Sequence, residues 1–166
     1  KDRILQIVDE ALDDLVAVRE KEGEALRAEI EARLGQIRTL WTEVGGMTEK
    51  VVEEQMEQYR SRVSEIAEAS GVEIDQDRLA QETVVMVEKA DIREELARIE
   101  SHLQQMDRLI DQRIEAAGKK LDFFSQELIR EVNTIGSKSR SSELRSHVVE
   151  LKGEIERVRE QVQNVE

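Results

Sequence analysis

The chain contains no cysteine and no proline, and aromatic residues make up 2% of its 166 residues. Without cysteine, it can form neither disulfides nor thiolate metal sites. The scarcity of aromatic side chains argues against a large globular core. No apolar run approaches the roughly 20 residues of a membrane span, and no signal peptide is visible. These absences favour a cytoplasmic protein without a membrane partner.

The sequence also lacks the motifs of several large enzyme classes. It has no Walker loop, no Rossmann glycine pattern, no HExxH sequence and no nucleophile elbow. We therefore expect no nucleotide cofactor. Metal-assisted hydrolysis stays open, because it can use carboxylates that are scattered along the chain.

Charged residues are abundant and make up 38% of the chain, together with many leucines, valines and isoleucines. This composition is typical of long helices and coiled coils, and it predicts an all-α fold. The net charge of −13 argues against general binding to polyanions. Residues 113–152, however, contain eight basic and six acidic residues, so a polyanion such as RNA, if it binds, is expected to meet the chain between residues 118 and 145.

The first part of the chain predicts a long antiparallel helical hairpin. Apolar residues recur every three or four positions over residues 2–44, and again over residues 49–69. Gly45-Gly46 is expected to end the first helix, and Thr48 to cap the second. We therefore predict a hairpin domain over residues 1–74 and a C-terminal helical domain over residues 75–166.

The C-terminal domain is predicted to be a helical bundle. Asp75 or Asp77 is expected to cap a helix over residues 77–117, with a break or a hinge at Gly118. Residues 136–142 form a predicted loop, and Ser141 or Ser142 is expected to cap the last helix. That helix has apolar residues at alternating spacings of four and three, which predicts a coiled-coil seam: Leu144, Val148, Leu151, Ile155, Val158, Val162 and Val165. The apolar seams exceed what one elongated chain can cover, which favours an oligomer.

Two groups of polar residues have spacings that place them on one face of a helix. Residues 118–138 read GKKLDFFSQELIREVNTIGSK, where Glu127 and Glu131 lie one turn apart with Arg130 between them. Upstream, a second face combines carboxylates, an arginine and an imidazole: Asp91, Glu95, Arg98 and His102. Such side chains can hold a divalent metal and neutralise phosphate. Spacing alone fits a solvated helix face with intrahelical ion pairs at least as well.

Three segments together resemble the C-terminal region of the YicC/YloC family of bacterial endoribonucleases. They are ADIREELARIESHL at residues 90–103, GKKLDFFSQELIREVNTIGSK at residues 118–138 and VVELKGEIERVREQVQNVE at residues 148–166. Family members also carry an N-terminal α+β domain, and nothing in this sequence resembles that domain. Because the chain also opens at Lys1 without an initiator methionine, we expect it to be the C-terminal part of a longer protein.

The resemblance implies a metal-dependent endoribonuclease that acts on single-stranded RNA and forms a ring-like homo-oligomer such as a hexamer. Mn²⁺ or Mg²⁺ would be the cofactor. The catalytic residues would be Glu127, Glu131, His102 and Arg130. The metal ligands would be Glu95, His102, Glu127 and Glu131. The RNA-binding residues would be Arg98, Lys120, Gln126, Asn133, Lys138 and Arg140.

A second hypothesis is a non-enzymatic helical oligomerisation or scaffold module that docks RNA or another protein. It is favoured by the net acidity, the regular heptads and the scarcity of aromatics. The density of mixed polar residues in residues 120–138 argues against it, because a plain coiled coil does not need Gln126 and Asn133 beside two carboxylates and an arginine.

Overall fold

The computed structural model describes residues 2–112 and 117–163, and every regular element in these residues is an α-helix. The elements are α1 (Asp2–Ser70), α2 (Gln76–Ala90), α3 (Arg93–Asp111), α4 (Ala117–Lys138) and α5 (Ser142–Val162). The all-α prediction is therefore confirmed. The division into domains at residue 74 stays a prediction.

Residues 2–70 form one uninterrupted helix, so the predicted hairpin with a break at Gly45-Gly46 is wrong. Burial continues across the two glycines, because Val44 and Val51 both lie in the core. Thr48 does not cap a second helix, since its hydroxyl donates to the carbonyl of Val44 one turn earlier, at 3.3 Å. Packing on both sides thus outweighs the helix penalty of glycine, which is about 1 kcal/mol per residue.

The predicted helix over residues 77–117 is also wrong, because it is divided at Asp91 and Ile92 into α2 and α3. Asp91 leaves the helical conformation, and its carboxylate accepts a hydrogen bond from the backbone N–H of Arg93 at 3.0 Å. Ile92 is buried in the core. Gly118 lies inside α4 and not at a break. Residues 113–116, between α3 and α4, lie outside the described residues.

Four helices form a bundle in which each packs against two neighbours, in the order α1, α3, α4, α5 and back to α1. Cross-helix contacts show that neighbours are antiparallel. For example, Arg33 of α1 pairs with Glu154 of α5, while Lys50, farther along α1, pairs with Glu143, which comes earlier in α5. One continuous apolar core joins the four helices, with α1 contributing Ile30, Leu34, Ile37, Val44 and Val51.

The predicted apolar stripe of the last helix is buried inside the chain. Leu144, Val148, Leu151, Ile155, Val158 and Val162 all belong to the core, while Val165 lies outside the described residues. The N-cap predictions are confirmed for Asp75, whose carboxylate accepts from two backbone N–H groups, and for Ser141, whose hydroxyl accepts from Leu144. The predicted loop is shorter than expected, because α4 continues to Lys138.

The first third of α1 extends beyond the bundle. Residues 3–25 are all exposed, and they span about 35 Å at 1.5 Å per residue. Large apolar side chains on this segment remain open to solvent: Ile4, Leu5, Ile7, Val8, Leu12, Leu15, Val16 and Val18. The bundle therefore uses only part of the apolar surface that the sequence provides.

Because α1 is continuous, Gly46→Ala is expected to stabilise the protein. A Cβ at Gly46 meets no atom within 4 Å, and the residue is helical. We expect a gain of about 0.5–1 kcal/mol, or roughly 2–4 °C in Tm, measured by thermal unfolding. The control is Gly71→Ala, which should destabilise because Gly71 has a φ of +64°. A loss of stability in Gly46→Ala would contradict a continuous helix and would support the predicted helix end at Gly45-Gly46.

Candidate functional site

Helices α3 and α4 lie side by side, and three contacts fix their antiparallel register. Glu95 of α3 meets Lys138 of α4, and Arg98 meets Glu131. One further turn along, the ring of His102 lies 5.7 Å from that of Phe124. The structure therefore joins the two groups that the sequence could place only on separate helix faces.

The ion pair between Glu95 and Lys138 is largely buried. Glu95 is 4% exposed, and its Oε1 accepts a hydrogen bond from Nζ of Lys138 at 2.7 Å. The same ammonium group donates to the backbone carbonyl of Asp91 at 2.8 Å. The second carboxylate oxygen of Glu95, Oε2, is buried without a hydrogen-bond partner. Lys138, predicted to bind RNA, thus has a structural contact as well.

The pair between Arg98 and Glu131 is more open to solvent. One guanidinium nitrogen of Arg98 lies 3.4 Å from the Glu131 carboxylate, and another contacts Glu94 one turn away. The two carboxylates raise the pKa of Arg98 above its usual value, and the charge of Glu94 has the larger effect. The Arg98 side chain is 53% exposed, whereas that of Glu131 is 11% exposed. A cation therefore sits at the surface directly above a largely buried carboxylate.

Glu127 lies between these contacts on the same face of α4. Phe124, Glu127 and Glu131 are spaced by three and four residues, so they line one side of the helix. Since Phe124 faces His102 and Glu131 faces Arg98, Glu127 lies at the level of α3 between these two residues. Its carboxylate, with the side chain 23% exposed, accepts from Arg130 at 3.0 Å.

The other predicted RNA-binding residues of α4 share a face that points into solvent. Lys120, Gln126, Arg130 and Asn133 are all exposed. Phe123 lies on the same face and is 55% exposed, whereas Phe124 packs against the core. Polar contacts on this face are local, as between Gln126 and Asp122. Arg140 is exposed in the loop that follows α4.

Asp91, predicted to share a face with Glu95, instead turns its carboxylate toward Arg93. Hydrogen bonds from the side chain and the backbone of Arg93 lower the pKa of Asp91 to about 2. The carboxylate therefore stays ionised throughout the physiological range. Its place is structural, at the corner where α2 ends and α3 begins.

The residues only partly fit a divalent metal. Within residues 2–112 and 117–163, no three histidine, aspartate or glutamate side chains are grouped closely enough to hold a metal ion. Glu95 and His102 are about 10 Å apart along α3, and Lys138 already neutralises Glu95. Glu127 and Glu131 lie one turn apart at the interface of α3 and α4, which is called the seam from here on. They suit Mg²⁺ or Mn²⁺, because these ions retain waters and bind one or two carboxylates together with substrate phosphates.

The sequence matches the model of a family described as "Endoribonuclease YicC-like, C-terminal" over residues 44–166. This match includes α2 to α5 and therefore the whole seam between α3 and α4. The chain belongs to this YicC-like family. The resemblance that the three sequence segments indicated is thereby confirmed.

Two curated relatives carry the name "Probable endoribonuclease YicC". The protein of Clostridioides difficile is 38% identical over 161 residues, which cover 97% of this chain and 54% of the relative. That of Haemophilus influenzae is 36% identical over 163 residues, covering 98% of this chain and 55% of the relative. The chain thus spans about half the length of the YicC relatives that it matches. Across the described helices, none is long and apolar enough to cross a membrane.

Because the pair between Glu95 and Lys138 is buried, we expect the loss of Lys138 alone to destabilise the protein much more than the loss of both residues. Lys138→Met should destabilise the bundle by about 3–5 kcal/mol, because it leaves the Glu95 carboxylate buried without a cation. Glu95→Met/Lys138→Met should recover much of this loss, since no charge remains buried. Chemical denaturation at pH 7 measures both. Equal stabilities of the single and double variants would show that the pair contributes nothing to the register of α3 and α4.

Proposed function

We propose that the chain carries the catalytic seam of an endoribonuclease, formed between α3 and α4. One observation carries the proposal: the partly buried carboxylates of Glu127 and Glu131 lie beside the exposed guanidinium groups of Arg98 and Arg130. The names of the relatives add support, since they describe probable endoribonucleases. Because the chain spans about half of those proteins, the other half could contribute to the complete RNA site.

The seam offers the groups that phosphodiester cleavage needs. A nucleophile, water or a ribose hydroxyl, must lose a proton, and a Glu127 carboxylate oxygen can accept it. The negative charge on the phosphate must be neutralised, and Arg98 and Arg130 provide charged donors at the mouth of the seam. His102, which lies on α3, can donate a proton to the oxygen that leaves when the phosphodiester bond breaks. Glu131 holds Arg98 in place at 3.4 Å.

We propose that Mn²⁺ or Mg²⁺ binds at Glu127 and Glu131 only together with the RNA. Two carboxylates from one helix leave most ligand positions to water and to phosphate oxygens, which agrees with the lack of a three-residue ligand group in the described chain. When bound, such an ion would acidify a water and neutralise phosphate charge. His102 and Glu95 stay predicted ligands whose participation would require the seam to rearrange.

The scaffold hypothesis keeps one specific support, which is the exposed apolar segment of α1. Eight large apolar side chains between Ile4 and Val18 are 47–68% exposed. Monomeric proteins seldom leave a continuous apolar surface of this kind uncovered. We propose that a second copy of the chain covers it, so that oligomerisation and catalysis belong to one protein. The hexamer, the coiled-coil seam and the cytoplasmic location stay predictions from the sequence.

Cleavage of a labelled single-stranded RNA tests the catalytic seam. The unaltered chain should cut this RNA with Mn²⁺ and lose activity in EDTA. Glu127→Gln should lower the rate by about 100-fold or more, because it removes the proton acceptor while keeping the shape of the side chain. The Tm should change little, since within the described residues Glu127 forms its ion pair with the exposed Arg130.

The matched control is Glu150→Gln, which makes the same change at an exposed residue of α5 and should leave cleavage unaltered. Cleavage that persists in Glu127→Gln would overturn the assignment of this residue. If the unaltered chain binds the RNA but never cuts it, the enzyme proposal fails for this chain and the scaffold hypothesis replaces it.

A second measurement distinguishes a metal site that forms only together with RNA from one that is already formed in the free protein. At 1 mM Mn²⁺ without RNA, we expect a stabilisation below about 0.4 kcal/mol, or roughly 1–2 °C in Tm, because a two-carboxylate site should bind with a Kd of about 1 mM or weaker. An increase of about 5 °C or more, lost in Glu131→Gln, would instead indicate a preformed ligand set and contradict binding through the RNA.

A further inference from the structure

A cleft of 790 Å³ lies between the C-terminal part of α1, the end of α2 and the end of α4. Most of the residues that line it are polar: four are basic, two are acidic, and several carry amides or hydroxyls. The basic residues are Arg62, Lys89, Lys138 and Arg140, and the acidic ones are Glu57 and Glu65. An excess of positive charge is unusual in a chain whose net charge is −13, so the cleft differs from most of the surface.

Among the residues that the structure describes, three of the four cations in the cleft have no anionic partner. Within the described residues, no carboxylate lies within ion-pair distance of Arg62, Lys89 or Arg140. The fourth, Lys138, donates to Glu95 and to the carbonyl of Asp91, and it also lines the cleft. Converging unpaired cations repel one another, and an anion that enters the cleft relieves this repulsion.

The neutral residues of the cleft are suited to nucleotides. Nε2 of Gln55 is a buried donor without a hydrogen-bond partner. Gln58, Ser61 and Ser137 also line the cleft and add amide and hydroxyl groups. Tyr59, half-buried in the same wall, has an aromatic ring on which a base can stack. Inorganic anions need only charge, whereas amides and an aromatic ring beside the charges favour a single-stranded nucleic acid.

The cleft also continues the exposed face of α4. Ser137 lines the cleft and follows Asn133 by one turn, on the face that contains Gln126 and Arg130. Lys138 lies about 16 Å along the helix from Glu127. A strand that crosses the seam at Glu127 can therefore follow this face and enter the cleft, at a distance where the cleft affects binding but not the reacting atoms.

We propose that this cleft is a binding subsite for single-stranded RNA, in which Arg62 and Lys89 contact phosphates and Tyr59 stacks on a base. The proposal rests on the proposed endoribonuclease function, because it assumes that the seam is where the strand is cut. It adds residues from α1 and α2 to a site that the sequence placed on α3, α4 and the following loop.

The test measures RNA affinity without cleavage. Binding of a fluorescent single-stranded RNA is followed in EDTA for the parent and for Arg62→Ala/Lys89→Ala, at salt concentrations from 50 to 200 mM. We expect at least about a tenfold loss of affinity at 50 mM salt. The slope of log K against log salt should become shallower by about 1.4, because single strands release about 0.7 ion per phosphate contact.

The control is Lys21→Ala/Arg108→Ala, which removes the same charge from exposed residues outside the cleft. Tyr59→Leu should weaken binding by about fivefold or more, and Tyr59→Phe should not, because only the ring is needed for stacking. Thermal unfolding confirms that each variant is folded. Affinity and slope unchanged in Arg62→Ala/Lys89→Ala, or reduced equally in the control, would overturn the proposal.

The outcome is separable from that of the catalytic proposal. Where the chain cuts RNA, Arg62→Ala/Lys89→Ala should raise KM and leave kcat within about twofold, since the cleft is distant from Glu127. A loss confined to kcat would contradict a binding subsite. RNA binding that depends on the cleft in a chain that never cuts would support the subsite and overturn the enzyme proposal alone. An acidic peptide that displaces the RNA with equal affinity would assign the cleft to a protein partner instead.

Discussion

The architecture of the site depends on the burial of one carboxylate. Glu95 is 4% exposed in the interface of α3 and α4, and a charge in that position is tolerated only with a nearby cation. Lys138 provides this cation from the last turn of α4, and it also satisfies the carbonyl of Asp91 where α3 begins. The pair thereby fixes which residues of α3 and α4 oppose each other. It also places Lys138 in the lining of the basic cleft.

This register explains why polar residues that are scattered in sequence lie on one surface. Once the end of α4 is anchored at Glu95, Arg98 meets Glu131 and His102 meets Phe124, each about one turn farther along. The apolar side chains below them, including Ile99 and Leu128, close the core and prevent the helices from sliding. The seam, the exposed face of α4 and the cleft are consequences of one helix pairing.

The sequence predicted what depends on local periodicity and missed what depends on tertiary contacts. The burial of α5 and the caps at Asp75 and Ser141 follow from spacing and residue type, and the structure contains both. Gly45-Gly46 misled because the local cost of glycine is small compared with the burial of Val44 and Val51 on either side. The break at Asp91 was missed because it requires Arg93 and Lys138 to satisfy the exposed backbone and side-chain groups.

The site residues, like the fold, could be predicted from the sequence only where they depend on spacing along one helix. Spacing placed Glu127 and Glu131 on one face, but it could not show that Arg98 would neutralise Glu131, because that contact crosses 33 residues. Arg62 and Lys89 gave no signal at all, since each lies among acidic residues on a helix that looks ordinary. Their relevance appears only when α1, α2 and α4 meet at the cleft.

The ion pairs between and along α3 and α4 differ in how deeply they are buried, and this difference suits the roles proposed for them. The buried pair of Glu95 and Lys138 is costly to break, at about 3–5 kcal/mol, so it can maintain the register while RNA binds. Arg98 and Arg130 are more than half exposed, whereas Glu131 is largely buried and Glu127 is partly buried, so only the arginine side of each pair is open to solvent. A phosphate that reaches the interface can therefore contact both guanidinium groups from the solvent side. The buried pair of Glu95 and Lys138 would keep α3 and α4 in place during such a contact.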